Sequence, residues 1–175
     1  MLWLADAIEA IRDFMVLGGP VLRAIAVVIF IMWVLIVERV VYFRSSMKKM
    51  SRQIHDEWES RSERQSWNAK QVRELLISQF SEVTNRGLAV IQTLIALCPL
   101  LGLLGTVTGM IKVFEVMAAS GSGNVRAMAA GVSQATVPTM AGMVGALSGV
   151  LLITLLTRRA HREVEFLEDS LTMDH

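Results

Sequence analysis

The fold of this chain is decided by two stretches, Pro99-Leu-Leu-Gly-Leu-Leu-Gly-Thr-Val-Thr-Gly109 and Gly131-Val-Ser-Gln-Ala-Thr-Val-Pro-Thr-Met-Ala-Gly142. They lie inside two long apolar segments, Ala89 to Phe114 and Met128 to Leu156, which contain no aspartate and no glutamate. A helix needs about 20 mostly apolar residues to cross the hydrocarbon core of a bilayer. Both segments meet that length, and both carry glycine and threonine where a lipid-facing helix would carry leucine.

The composition of the whole chain indicates a membrane protein. Of its 175 residues, 53% are hydrophobic and 19% are charged, and the mean hydropathy is +0.49. These values are too apolar for a soluble protein of this size. A net charge of +1 excludes the strong overall field expected of a nucleic-acid-binding protein. The single cysteine, Cys98, cannot form a disulfide within the chain and is interpreted as a packing residue.

A third apolar segment, Val21 to Phe43, completes a set of three candidate spans, with charged residues only near its two edges. Before it, Met1 to Leu17 combines acidic residues with apolar residues at helical spacing. This pattern predicts an amphipathic helix lying in the membrane interface, and it is not that of a signal peptide. Gly18-Gly19-Pro20 is expected to break this helix before the first span.

The distribution of lysine and arginine predicts the orientation of the spans. Nine of the seventeen lie in the segment 44–86 and three more in the tail, which we expect to meet anionic headgroups, whereas Glu115 to Val125 has none. By the positive-inside rule the long loop and the tail are cytoplasmic. We therefore predict an all-α integral membrane protein with three transmembrane helices extended into the cytoplasm, N-out and C-in.

The predicted segments are a periplasmic-side interfacial helix (1–20), a first span (21–43), a cytoplasmic helical loop (44–87), a second span (88–114), a short periplasmic loop (115–127), a third span (128–157) and a cytoplasmic tail (158–175). Apolar residues at helical spacing predict two helices in the cytoplasmic loop, joined near Ser60 to Asn68.

Small residues form a stripe on each of the last two spans. Such stripes let helix backbones approach closely. In lipid the hydrophobic effect does not drive helices together, so this van der Waals packing stabilises their association instead. The residues predicted to pack helices in this way are Gly102, Gly105, Gly109, Gly131, Gly142 and Gly149.

Polar side chains accompany these stripes. A hydroxyl can bond back to its own helix, so any one threonine has a purely structural alternative. Taken together, the polar residues and the prolines that loosen the nearby backbone predict a wet or protein-filled interior. With no acid of its own, this surface would be half of an ion pathway, and the titratable group would come from a partner chain. The residues predicted to line it are Pro99, Thr106, Gln134, Thr136 and Thr139. Lys112 and Glu115, three residues apart, are expected to form an ion pair, with a contact to lipid or to a partner as the alternative.

These two stretches resemble the signature of the MotA/TolQ/ExbB proton channel family. The size and three-span topology resemble ExbB, and the variant Pro138-Thr-Met-Ala-Gly142 resembles the shorter ExbB proteins of accessory TonB systems. The resemblance implies a homopentamer in the bacterial inner membrane whose second and third helices enclose the spans of an ExbD-like dimer. An aspartate of that partner would carry the proton. Proton flow would energise a TonB-like protein, which drives import of iron complexes and similar nutrients across the outer membrane.

The same resemblance implies roles for single residues. Pro99 matches the family proline at the start of the second-span signature, Thr106 matches the pore-facing threonine, and Thr139 matches the third-span threonine. Gln134 departs from the pattern, because many family members have glutamate there. Glutamine keeps hydrogen bonding but not charge, so we assign it a structural or water-ordering part.

The sequence is also compatible with two other functions. One is a TolQ-like subunit for envelope maintenance, or a flagellar stator subunit, although a stator would be expected to have four spans. The other is a membrane scaffold that holds a partner helix without conducting. An enzyme is not predicted, since the chain has no nucleotide-binding loop, no catalytic triad pattern and no metal-ligand or cofactor motif. The expected partners are further copies of the chain, the ExbD-like and TonB-like proteins and membrane lipids, but not nucleic acid.

Overall fold

The computed structural model describes residues 2–45, 47–60, 66–120 and 125–171, and all regular structure in these ranges is α-helical. Three helical stretches, within Gly19–Ser45, Trp67–Ala119 and Met128–Ser170, are long and apolar enough to cross a membrane. The predicted all-helical class with three candidate spans is therefore confirmed. The helices are α1 (Leu2–Leu17), α2 (Gly19–Ser45), α3 (Met47–Glu59), α4 (Trp67–Asn85), α5 (Leu88–Ser120) and α6 (Val125–Ser170).

The helix ends differ from the predicted segments mainly at α6. This helix has 46 residues and continues through most of the segment predicted as a tail. At a rise of 1.5 Å per residue it is about 69 Å long, more than twice the hydrocarbon thickness of about 30 Å. A helix of this length that crosses a bilayer has part of its length outside the lipid. Its continuation follows from the sequence, because Ala160 and Leu167 are buried at helical spacing and no proline or glycine follows Gly149 in the helix.

Glycine ends or begins helices at two junctions. Gly19 has φ +65° where α2 begins, and Gly87 has φ +82° between α4 and α5. Both values lie in the left-handed region that glycine adopts without strain. A Cβ on Gly87 would lie 2.6 Å from a guanidinium nitrogen of Arg39, but that is the end of a flexible side chain, so it is the positive φ that favours glycine here.

The segment between the first two spans contains two helices, α3 and α4. Helix α4 begins after Ser66, whose hydroxyl accepts a hydrogen bond from the Ala69 backbone N–H at 3.2 Å. At its other end the Arg86 N–H donates to the Glu82 carbonyl at 2.9 Å. Of the connection predicted near 60–68, residues 61–65 lie outside the described residues.

The chain divides into two compact units, through which α2, α5 and α6 pass. The first unit comprises Met1–Trp33 and Thr93–Val150. The second comprises Val34–Gln92 and Leu151–His175, and its core includes the fully buried Trp58 and Phe80. The two stripes of small residues and the predicted polar residues all belong to the first unit, which therefore holds the candidate site.

Within the second unit, one arginine fastens α4 to the end of α6. Arg73 donates from Nε to the Leu171 carbonyl and from Nη2 to the Glu168 carbonyl, both at 2.8 Å. The last carbonyl groups of a helix have no partner inside the helix. Arg73 satisfies two of them and so caps α6 with a side chain 98 residues away from Leu171 in sequence.

Candidate functional site

Helices α5 and α6 run antiparallel in the first unit, and glycine brings their backbones into contact. A Cβ built on Gly102 would lie 2.9 Å from the Cα of Thr139 and 3.3 Å from the Pro138 carbonyl oxygen. One built on Gly142 would lie 3.2 Å from the carbonyl carbon of Cys98. These separations are shorter than ordinary van der Waals contact, so neither position has room for a larger side chain.

The other four glycines predicted to pack helices also face neighbouring residues. Each would bring an added Cβ against a side chain or backbone of another helix. Gly105 faces the ring of Pro138, Gly109 faces Ala135, Gly131 faces Val113, and Gly149 faces Ile95 and Met32. The six glycines thus follow the line along which α5 and α6 meet, and Gly149 also meets α2 through Met32.

The predicted threonines differ in the carbonyl group to which their hydroxyls donate. Thr139 bonds across the helix pair, because its Oγ1 donates to the Gly102 carbonyl at 3.0 Å. Thr106 and Thr136 donate instead to the carbonyl three residues earlier in their own helices, at 2.7 and 2.9 Å. In each case the hydrogen is used on the backbone and the oxygen keeps lone pairs that can accept from water or from a protonated carboxyl group.

Four of the predicted residues form a surface that we name the hydroxyl face: Pro99 and Thr106 of α5 with Thr136 and Thr139 of α6. Helix periodicity places residues seven or three apart on one side of a helix, and the Thr139 hydrogen bond joins the two helices at this surface. Pro99 and Thr136 are exposed, and the other two are partly exposed. The hydroxyl face of a single chain is therefore open to a neighbour.

Gln134 is not on the hydroxyl face, so the five residues predicted to line one interior are divided between two surfaces. Gln134 and Thr136 are two residues apart, and each residue turns the helix by about 100°, so their side chains point about 200° apart. Gln134 instead lines a cavity of about 240 Å³ with Thr108 and Lys112. We name this the Lys112 cavity; the turn between α1 and α2, residues 18–21, borders it together with Gly105 and Gly109.

The ion pair expected between Lys112 and Glu115 does not form. Both side chains lie in the described part of the chain, both are exposed, and no ion pair joins them there. Their separation of three residues allowed a contact, but at an exposed position such a pair gains little over hydration. The ammonium group of Lys112 is consequently available to another partner.

Two features of the structure were not predicted from the sequence. Thr108 was not assigned, although it follows Thr106 by two residues and so belongs on the opposite side of α5 from the hydroxyl face. Its Oγ1 donates to the carbonyls of Leu104 and Gly105, at 3.0 and 3.1 Å. The contact of Arg73 with the end of α6 carries no local signal, because it joins distant parts of the sequence.

The hydroxyl face can order water and bond a carboxyl group, but it cannot carry a proton. A threonine hydroxyl does not ionise at physiological pH, whereas it can donate to a carboxylate or accept from a carboxylic acid after a small rotation. The two apolar segments that contain the face, Ala89–Phe114 and Met128–Leu156, supply no acid. The hydroxyl face therefore offers hydrogen-bonding groups but no titratable group from these two segments.

Comparison with known proteins gives the family. The model of the MotA/TolQ/ExbB proton channel family matches residues 41–169, which run from the end of α2 to the last turn of α6. A biopolymer transport protein of Synechocystis sp., named ExbB-like 1, is 37% identical over 84 residues. That match covers 46% of this chain and 33% of the relative, so it spans only about a third of the relative's length. With a family match over most of its residues, and with three helices long enough to cross a bilayer, the chain belongs to the MotA/TolQ/ExbB proton channel family.

Proposed function

We propose that the chain is the proton-channel subunit of an ExbB-type motor in the bacterial inner membrane. The observation that carries the proposal is the hydroxyl face, a row of threonine hydroxyls open to a neighbour on two apolar segments, 89–114 and 128–156, that contain no acid. Membership of a proton channel family supports the same function. The acid that the chain lacks would be an aspartate on the single transmembrane helix of an ExbD-like partner.

The hydroxyl face would act on that aspartate in both of its protonation states. The oxygens of Thr106 and Thr136 accept a hydrogen bond from the protonated acid or from a water beside it. After the proton leaves, the hydroxyls or the ordered water donate to the carboxylate and lower the cost of its charge in the membrane. Each elementary charge that crosses a potential of 100 mV supplies about 2.3 kcal/mol. That energy would drive motion of the partner, which in turn energises a TonB-like protein for nutrient import.

The surrounding architecture fits this function when several copies assemble. A hydroxyl face left open in one chain would be enclosed if copies of the chain formed a ring, and the family resemblance suggests five. The lysines and arginines of 44–86 favour an N-out, C-in orientation, with α3, α4 and the end of α6 on the cytoplasmic side. The length of α6 supports a helix that projects beyond the lipid.

One observation favours the non-conducting scaffold as the second candidate. The hydroxyl of Thr139 donates its hydrogen across to Gly102, which is a helix-packing contact and needs no ion. A scaffold would use all the threonines in that manner. A TolQ-like subunit would use the same conducting surface for envelope maintenance and would differ in its partners.

The deciding experiment compares Thr106→Val with Ser148→Ala in the complex purified with its native partners and reconstituted into liposomes. Both hydroxyls donate to a carbonyl three residues earlier in their own helix, but only Thr106 lies on the hydroxyl face, so Ser148 is its control. A hydrogen bond to a charged group contributes about 1.5–3 kcal/mol, so we expect Thr106→Val to slow proton flux at least about tenfold. Thr106→Ser and Ser148→Ala should conduct normally.

Two readouts accompany the flux measurement. The mass of the purified complex should identify the copurified partner, whose sequence should contain one transmembrane span with an aspartate in it. The same partner should copurify with Thr106→Val. An intact complex with normal proton flux for Thr106→Val would contradict the channel and favour the scaffold. Partners of another kind would redirect the proposal to the TolQ-like role.

A further inference from the structure

We propose that the Lys112 cavity binds the phosphate of an anionic phospholipid and that the adjoining apolar groove holds one of its acyl chains. The site lies on a different side of α5 from Thr106, and it goes beyond the proposed channel function. Its ligand is recognised by two contiguous surfaces of different chemistry.

The polar part of the site is the Lys112 cavity itself, of about 240 Å³. Lys112 supplies the charge, and Thr108 and Gln134 supply further hydrogen-bonding groups. The cavity also borders Gly19 and Val21 at the first turn of α2, where the positive end of the helix dipole adds to the charge of the lysine. These groups together match a phosphate oxygen cluster in both charge and hydrogen bonding.

The apolar part is a groove of about 400 Å³ that shares Lys112 and Gln134 with the cavity. Its other lining residues are apolar, with the side chains of Leu17 and Val116 53% and 45% exposed. Lys112 therefore lies at the junction between a polar cavity and an apolar groove. A small anion would leave the groove empty, and a hydrocarbon chain alone would leave the ammonium unpaired.

The location of Lys112 identifies a phospholipid as the ligand. It is the first charged residue after the long uncharged run of α5, so it lies where a spanning helix leaves the hydrocarbon. Phospholipids are the abundant amphipathic phosphates at that depth. Among the described residues, no acid lines either the cavity or the groove, so the lysine attracts a lipid with net negative charge more strongly than a zwitterionic one.

The test measures lipid binding by native mass spectrometry of the full complex after delipidation, titrated with phosphatidylglycerol or phosphatidylcholine. A basic residue near a membrane surface contributes enough for about a fivefold change in affinity. We expect Lys112→Gln to weaken phosphatidylglycerol binding about fivefold and to leave phosphatidylcholine binding unchanged. Lys112→Arg should retain the wild-type affinity. Lys70→Gln, which removes an exposed lysine of α4, is the control for the change in net charge.

The groove is tested separately with Ala130→Phe, which places a ring in it without touching the lysine. This variant should weaken binding of long-chain phosphatidylglycerol and should not affect a dihexanoyl analogue. Equal affinity of Lys112→Gln and wild type for phosphatidylglycerol would overturn the proposal, as would a photo-crosslinker at residue 130 that captures protein and no lipid. Normal long-chain binding by Ala130→Phe would overturn the assignment of the groove.

Discussion

Replacing Gly142 by alanine should separate the two helices that carry the hydroxyl face. The added methyl group would meet the carbonyl oxygen of Cys98 and would lie 3.5 Å from the Cα of Gly102. Because the obstacle is backbone, it cannot rotate away. Helices α5 and α6 would have to move apart by about 1 Å to restore an ordinary contact distance.

The cost follows from two contributions. Overpacking of this kind costs about 1–3 kcal/mol. The separation would also stretch the hydrogen bond from Thr139 to Gly102, which is 3.0 Å long, and interhelical bonds in membranes contribute about 0.6 and at most about 1.7 kcal/mol. Alanine regains about 1 kcal/mol through its higher helix propensity. The net loss should be about 1–4 kcal/mol.

Gly145→Ala is the matched control, three residues along the same helix. Its added methyl group would meet the Cδ1 and Cγ1 atoms of Ile29, a side chain that borders an open groove of about 570 Å³ and so has space to rotate. The same gain in helix propensity applies to both variants, so their difference isolates the backbone contact. Reversible unfolding in mixed micelles, followed by circular dichroism, would measure both.

We expect Gly142→Ala to be less stable than Gly145→Ala by at least about 1.4 kcal/mol, a tenfold change in the unfolding equilibrium. Equal stability of the two variants would refute the reasoning, since it would mean that α5 and α6 do not meet backbone to backbone at Cys98. Greater loss for Gly145→Ala would place the tight contact against α2 instead.

The remaining predictions concern two hydrogen-bonding side chains. Thr139→Val should lower stability by about 0.6–1.7 kcal/mol, and Thr139→Ser should restore it by renewing the bond to the Gly102 carbonyl; similar losses in the two unfolding curves would argue that the bond does not form. Arg73→Gln should speed amide hydrogen exchange in the last turn of α6 around Leu171, because two helix-end carbonyls lose their donor. Lys70→Gln, an exposed neighbour on α4, should leave that exchange rate unchanged, and equal protection in both variants would contradict the capping role.

Helix periodicity was sufficient to predict the close-packed stripes of α5 and α6. Spacings of three, four and seven residues place the glycines on one side of each helix whatever the tertiary structure. The register in which the stripes meet was not predictable, because it depends on the fit of particular pairs, such as Gly102 against Thr139. The Thr139 hydrogen bond follows from that register and could not be foreseen either.

The assignment of Gln134 to the same surface as the threonines shows where a composition argument falls short of a geometric one. Polar residues in an apolar span were grouped by their shared chemistry, although Gln134 and Thr136 cannot point in one direction from a regular helix. The sequence predicted helices that extend beyond the lipid, but it did not indicate where α6 ends. The charges at 158–163 mark the end of the membrane-compatible stretch but do not end a helix whose apolar residues keep their spacing.

The backbone contacts between α5 and α6 constrain how a motor built on this chain could move. Gly102 and Gly142 leave no free space against the facing backbone, so the two helices cannot slide past each other without first separating. They should therefore respond to a neighbouring charge as one rigid pair. Two polar surfaces lie on different sides of that pair, with Thr106 on one and Lys112 on the other. If the pair moves as one body, a displacement at the hydroxyl face also moves Lys112 by the same amount. Anionic lipid bound to Lys112 would resist that movement. We accordingly expect the proton flux of the reconstituted complex to depend on phosphatidylglycerol content in the wild type and to lose that dependence in Lys112→Gln.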